Sequence, residues 1–324
     1  MSKFGFALFL LLLVPIAPLW PSNSATAEII VVKSLPILLD PDRPDYNSVG
    51  ALVYRGGLNL TSNESRFGGF SALGVSADGR RMISLSDRGH RLSANLIYDA
   101  KGNLTGLAQT DLSSLAGLDG RTLQSKKESD VESMSPGVDG EIIVSFERHH
   151  RLWRYLPGQV RPEVLPPPET INRLKKNSGI EALTLLNDGR LLALSEGSQK
   201  ARNAIGWVSD TGGWSPLTYT TNDGFRVTGA TTHPNGNTFI LERYYTLRDG
   251  VAVRIKRLNS NQIRPGAALQ GQLIAELRPP LTVDNFEGID IRETADKRTF
   301  LYLISDDNFS MLQSTLLMMF EVMP

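Results

Sequence analysis

The sequence predicts an all-β propeller of five or six blades, with six the expected count. Three observations predict it. Apolar runs joined by tight turn signals recur along the chain, as in "GIEALTLLNDGRLLALSEG" from Gly179 and "GGFSALGVSADGRRMISLSDRG" from Gly68. The related segments begin near residues 71, 132, 181, 229 and 287, at intervals of 61, 49, 48 and 58 residues. Repeats of roughly 40–50 residues carrying several short strands are the mark of propeller blades. The composition agrees: 29 Gly and 18 Pro among 324 residues supply many turns, and 41% hydrophobic residues suffice to fill the core of one large β domain.

The first 20 residues, "MSKFGFALFLLLLVPIAPLW", read as an address. One early Lys precedes an apolar run broken by Pro15 and Pro18, and Ala25 and Ala27 provide small residues. This is a Sec-type signal peptide, residues 1–27, with cleavage expected after Ala27 and a periplasmic or secreted product of residues 28–324 with no stable membrane insertion. The chain has no Cys, so neither a lipoprotein anchor nor disulfides enter the account. "EIIVVKSL" and "GALVYRGGLNL" then predict outer strands, one of which completes the blade begun by the C-terminal segment. "LPPPETINRLKKNSG" predicts a surface loop between blades, and "STLLMMFEV" a buried terminal strand. Trp153 and Tyr155 alternate as strand residues that pack between blades.

The turns place acids symmetrically. Asp188-Gly189 in a two-residue hairpin would set Glu181 directly opposite Glu196, with Cβ atoms about 4.5–5.5 Å apart. At ~5 Å the repulsion is roughly 3 kcal/mol at an effective dielectric near 20. Glu132 and Glu147 flank Asp139-Gly140 with the same spacing, and Glu287 and Asp306 repeat the layout across a longer connection. The first hairpin has Ser71 and Asp87. The fourth keeps Glu242 after Asn235-Gly236, with Gly229 or a neighbour at the first position. Blades are related by rotation, so Glu132, Glu147, Glu181, Glu196, Glu287 and Asp306 are expected to form an acidic ring at one end of the channel, beside Asp87 and Glu242. Oxygen ligands without Cys and with only four His suit Ca²⁺ or Mg²⁺; Ca²⁺ is the expected cofactor, with Asn285, Asp307 and Asn308 as further oxygens. Glu181 and His149 are the catalytic candidates. Arg88, Arg148 and Arg243 each follow an acid and are candidates for holding an anionic substrate.

Other chemistries lack their residues. There is no G-x-S-x-G elbow, and no H-E-x-x-H. "RHH" at 148–150 departs from the histidine acid phosphatase pattern R-H-G-x-R-x-P. Lys+Arg and Asp+Glu balance at 34 each, which leaves no global footprint for nucleic acid.

"RFGGFSALGVSADGRR", "SDVESM", "SFERHHRLWRY", "GIEALTLLNDGRLLALSEG", "ILERYY", "RPPLTVDNFEGIDI" and "YLISDDNFSMLQSTLLMMFEV" together resemble the phytase-like family of exported bacterial proteins, often labelled "esterase-like activity of phytase". The resemblance runs from about Val53 to Val322. It implies a β-propeller and kinship to calcium-dependent alkaline phytases. The chain departs from the family near Gly229, where an acid is common, and at Ser314, where Arg is common. Three readings follow: a Ca²⁺-dependent phosphomonoesterase; a metal-dependent ester or lactone hydrolase; and a non-catalytic propeller that binds a ligand or protein. The substrate in the first two is a small anionic or ester compound.

Overall fold

The computed structural model describes residues 25–137, 140–175 and 178–323. Its strands form five sheets arranged as the blades of a propeller, antiparallel throughout except for the two-residue edge strand Ala268–Leu269, which pairs in parallel with Gly213–Thr220 in blade 3. Their innermost strands are Phe70–Val75, Val131–Pro136, Ile180–Leu185, Arg226–Thr232 and Phe286–Glu293. Each contacts the next, and the fifth contacts the first, which closes the ring. Five apolar clusters fill the five interfaces between blades. In the first-to-second interface Phe146, Trp153 and Tyr155 pack edge to face on one another in a cluster with Ala72 and Leu85, as the alternation in "RLWRY" predicts.

The count is five, where six was the expected number. The long interval after the first hairpin goes into blade 1 itself, whose outer strands His90–Tyr98 and Leu104–Ser114 run 9 and 11 residues. The N-terminal strands build no further blade. Val32–Ile37 and Leu52–Ser62 join Thr315–Val322, Thr299–Ser305 and Phe286–Glu293, so both ends of the chain close blade 5. Thr315–Val322 is buried over its first six residues, as the terminal apolar run predicts. The leader falls outside the described residues except for positions 25–27, which belong to the strand Ala25–Ile29 at the outer edge of blade 1. "LPPPETINRLKKNSG" is a connection containing a short 3₁₀ turn at Glu169–Arg173; Lys176 and Asn177 lie outside the described residues.

The inner hairpins are not two-residue type I′ turns. Leu186 N–H bonds to Arg190 O and Gly189 N–H to Leu186 O, so the loop is Asn187-Asp188-Gly189 with Gly189 at φ 84°. This is the three-residue hairpin, a turn followed by a left-handed residue. The same pattern closes blade 4 at Gly236 and blade 5 at Lys297, whose φ is 65°. Gly140 holds the equivalent place in blade 2, and Asp139 lies outside the described residues. Blade 1 has one residue more, with Ser76 N–H bonded to Arg81 O.

An innermost strand has one edge unpaired by any sheet neighbour, and its N–H groups need acceptors. The preceding blade supplies them. Leu183 and Leu185 donate to the hydroxyls of Ser133 and Ser135 (3.0 and 2.8 Å), and Val75 donates to Asp290 (2.6 Å).

Candidate functional site

Every innermost strand carries a β-bulge at the same place. Ile180 pairs with Ser195 and Ala182 with Leu194, which leaves Glu181 as the extra residue. The registers isolate Ser71, Glu132, Thr228 and Glu287 in the same way. A bulge twists the strand and re-aims one side chain, and bulges concentrate beside functional sites. Glu181 and Glu196 are therefore not a directly opposed pair, as a two-residue turn would require. Glu181 stands out on the bulge, and Glu196 follows the end of the second strand. The residue in that second position is Asp87, Glu147, Glu196, Arg243 or Asp306, blade by blade.

Blade 4 thus corrects the sequence assignment. Thr228, not Gly229, is its bulge residue, and Arg243, not Glu242, faces the mouth. Glu242 is fully buried inside the blade, where Lys256 Nζ (2.9 Å) and the Tyr219 hydroxyl (2.7 Å) bond to it. Gly229 serves another purpose: a Cβ there would stand 2.6 Å from Glu287 O, so it lets blades 4 and 5 touch.

The six predicted acids do converge. The charges of Glu181 and Glu147 raise the pKa of Glu132, behind burial, and Glu196 and Glu287 do the same for Glu181. Both groups lie well above the carboxylate range. Burial also raises Glu287, against the opposing pull of Arg243, and pushes Asp306 up to about 8, with Glu287 adding to it. Glu147 is raised to about 7 by burial and by Asp130. The Glu132 carboxyl also lies close enough to act on Glu181 as a hydrogen-bond partner, which lowers Glu181 against these influences.

Asp130 was not foreseen. One ligand oxygen from each of Asp130, Glu132 and Glu147 lies within 4.8 Å of the others. Asp130 already holds Lys126 (2.9 Å) and Arg148, and Lys126 also reaches Asp87. The sequence signal was slight: an acid two residues before the bulge, a place that the other blades fill with Gly69, Gly179, Arg226 and Asn285. The other cations are Arg226 on Glu196 (2.5 Å) and Arg243, 3.8 Å from Glu287. Among the described residues, Asp87, Asp130, Glu132, Glu147, Glu181, Glu196, Glu287 and Asp306 thus form ion pairs only with Lys126, Arg148, Arg226 and Arg243. Glu132, Glu147, Glu181 and Asp306 have no ion-pair partner. Beside them Asn285 is buried, donates to Glu287 (3.0 Å) and to Asp306 O (3.3 Å), and keeps its Oδ1 without a partner.

The remaining candidates divide. Arg148 is engaged by Asp130, and Arg243 leans on Glu287. Arg88 has no carboxylate partner among the described residues and lies over the Phe309 ring, 3.4 Å from its centroid. His149 is exposed on the turn after Glu147, its backbone N–H bonded to Glu147 O. The opposite end of the channel opens into a cleft of about 1230 Å³ between the five turns. Its buried carboxylate, Asp290, accepts bonds from Val75, Ile291 and Thr231 and needs no further partner. No helix among the described residues is long and apolar enough to cross a membrane.

The fold and site define a five-bladed propeller with a carboxylate-lined mouth suited to a divalent cation. The phytase-like family described as "Esterase-like activity of phytase" matches residues 65–309, and the chain belongs to that family. No functionally curated protein matches the sequence. Among solved structures, a candidate gluconolactonase is 13% identical, with 91% of this chain and 95% of that one covered and a TM-score of 0.46. A protein of unknown function from Dyadobacter fermentans is 11% identical over 93% and 96%, also at 0.46. A luciferin-regenerating enzyme is 11% identical over 79% and 93%, at 0.37. Relatives this distant speak to fold alone.

Proposed function

We propose that the chain is an exported hydrolase of carboxylic esters or lactones that works with a divalent cation, Ca²⁺ first, in its acidic mouth. The observation that carries this reading is the group of four carboxylates, Glu132, Glu147, Glu181 and Asp306, that converge with no salt bridge to a cation among the described residues. Like charges in a desolvated site either bind protons, as the raised pKa values record, or bind a cation. Glu132, Glu181, Glu287 and the spare Oδ1 of Asn285 offer the hard oxygens that Ca²⁺ or Mg²⁺ takes. Bound there, such an ion would polarise an ester carbonyl and acidify a water.

The chain's own part is proton handling and exclusion of bulk water. Glu147, raised to about 7, can take a proton from a nucleophile near neutral pH and return it to the leaving oxygen. Exposed His149 stands next to that carboxylate and is the second candidate for the same task. The phosphomonoester reading is the weaker one. A phosphate dianion is best held by several guanidinium groups, and two of the three expected arginines are engaged by Asp130 and Glu287. The leader pattern of residues 1–27 supports export.

The test is hydrolysis of 4-nitrophenyl esters, aliphatic lactones and phosphomonoesters with Ca²⁺, Mg²⁺ or chelator. Ester or lactone turnover that chelator stops and Glu181→Gln abolishes supports the proposal. Turnover of phosphomonoesters alone would favour the alternative, and no turnover of any class would leave a binding propeller.

A further inference from the structure

One cation at the acidic mouth is neither neutralised nor loose. Arg88 sits in the tight turn that follows the second strand of blade 1, directly after Asp87. Asp87 raises both Glu287 and Asp306, so this turn borders the ring. The Arg88 guanidinium is exposed and rests on the Phe309 ring at 3.4 Å. Stacking covers one weakly hydrated face of a guanidinium and leaves its in-plane N–H edge free to meet an oxyanion bidentately.

The platform beneath it is built at some cost. Asn308 and Phe309 are consecutive non-glycine residues at φ 49° and 50°. The left-handed region costs such residues about 1–2 kcal/mol each. The surroundings hold them there: Asp307 accepts bonds from Phe309 N (3.0 Å), Gly69 N (2.9 Å) and the Thr315 hydroxyl (2.9 Å). Gly69 admits the arrangement. A Cβ on it would lie 2.4 Å from the Phe309 ring and 2.5 Å from Asp87 Oδ1. Backbone strain kept in place by several neighbours is a feature of ligand clamps.

We propose that Arg88, held flat on Phe309, is the specificity-determining residue of the mouth, and that it selects esters carrying a compact oxyanion away from the scissile bond. This rests on the hydrolase reading above and adds the substrate class to it. The scissile carbonyl meets the carboxylate-lined centre while the remote anion meets Arg88 at its border. The oxyanion is either a carboxylate or a phosphate, and the two are separable by experiment. An exposed anion site also keeps the substrate's charge away from the acid ring, which would otherwise repel it.

The test compares a matched pair of 4-nitrophenyl esters, the neutral butyrate and the anionic hemisuccinate, on wild type, Arg88→Gln, Arg88→Lys and Phe309→Leu. Loss of a charge-assisted contact should cost about 10- to 100-fold in kcat/KM. The expected result is that Arg88→Gln loses this factor for the hemisuccinate, mainly in KM, and leaves the butyrate unchanged. Arg88→Lys should recover only part, because its ammonium lacks the planar fork, and Phe309→Leu should fall between. If wild type hydrolyses both esters and the ratio is the same in Arg88→Gln, the proposal is overturned and the hydrolase reading stands. If neither ester is turned over, the hydrolase reading fails, and calorimetry with succinate and methylphosphonate in Ca²⁺ decides the anion site. Binding to wild type that weakens at least tenfold in Arg88→Gln supports Arg88, with the tighter ligand naming the oxyanion; equal binding overturns it.

Discussion

Blades 3 and 4 share one backbone device and put opposite chemistry on it. In blade 3 the bulge and the residue after the second strand present Glu181 and Glu196; in blade 4 the bulge presents Thr228 and the matching residue is Arg243, with the strand Thr238–Thr246 running on past it. The Thr228 hydroxyl donates to Phe286 O of the next blade (3.2 Å), as the Ser71 hydroxyl donates to Val131 O (3.0 Å). A hydroxyl at the bulge stitches two blades together. A carboxylate cannot donate to a carbonyl, so Glu132, Glu181 and Glu287 contribute charge to the mouth instead of a seam. Blade 4 does own a glutamate, yet Lys256 and Tyr219 hold it within the blade. The contrast shows that Glu242, one residue short of the place Glu196 fills in blade 3, belongs to the blade interior and not to the site.

The comparison can be broken most forcefully at Glu242. Glu242→Gln leaves the Lys256 ammonium buried without its counter-charge, and urea unfolding should show a loss of roughly 3–5 kcal/mol that Ca²⁺ does not restore. A cation-dependent loss would place Glu242 in the mouth after all. Arg243→Glu makes blade 4 resemble blade 3. One more carboxylate at ~6 Å should cost the chelated protein roughly 2–3 kcal/mol, and Ca²⁺ should return most of it. The pH profile sharpens the same point. Glu147 at about 7 and Asp306 at about 8 bind protons more tightly in the folded protein than in the unfolded chain. The stability this confers is complete below about pH 4 and is lost as pH rises through 7–8. The chelated protein should therefore melt progressively lower from pH 5 to 8, and Ca²⁺ should flatten that slope; a flat profile in chelator would contradict the raised values. The smallest effect belongs to the turn of blade 5. Lys297 occupies the left-handed place filled by Gly189 and Gly236 in blades 3 and 4, and Lys297→Gly should stabilise by about 0.5 kcal/mol, with or without cation.

Much of this was readable from residues alone. The hairpin recurrence announced the propeller because four of the five blades repeat an Asp-Gly or Asn-Gly turn between two apolar runs. The six ring acids follow from rotational repetition. The blade number did not, because residues 87–130 lengthen blade 1 in a way that interval counting reads as spare length. The bulges were invisible, since one inserted residue leaves no compositional trace. The offset rule nevertheless held more than it seemed to: seven residues before Asn235 is Thr228, and seven after Gly236 is Arg243. Trust in the nearest acid, Glu242, displaced that reading. Asp130 escapes the pattern because its place two residues before the bulge holds Gly69, Gly179, Arg226 and Asn285 in the other blades, and the Phe309 platform is set by the left-handed backbone of Asn308 and Phe309.

The central claim is that the acid mouth holds a divalent cation, and the direct measurement is thermal unfolding of the mature protein with Ca²⁺ and with chelator, for wild type and Glu181→Gln. At 100 times its dissociation constant an ion bound only by the folded state stabilises by about 2.7 kcal/mol, which raises the melting temperature of a domain this size by several degrees. The account predicts that shift in wild type and its loss in Glu181→Gln, with the chelated mutant melting above the chelated wild type because one buried like charge is gone. Identical melting of wild type with Ca²⁺ and with chelator would contradict it.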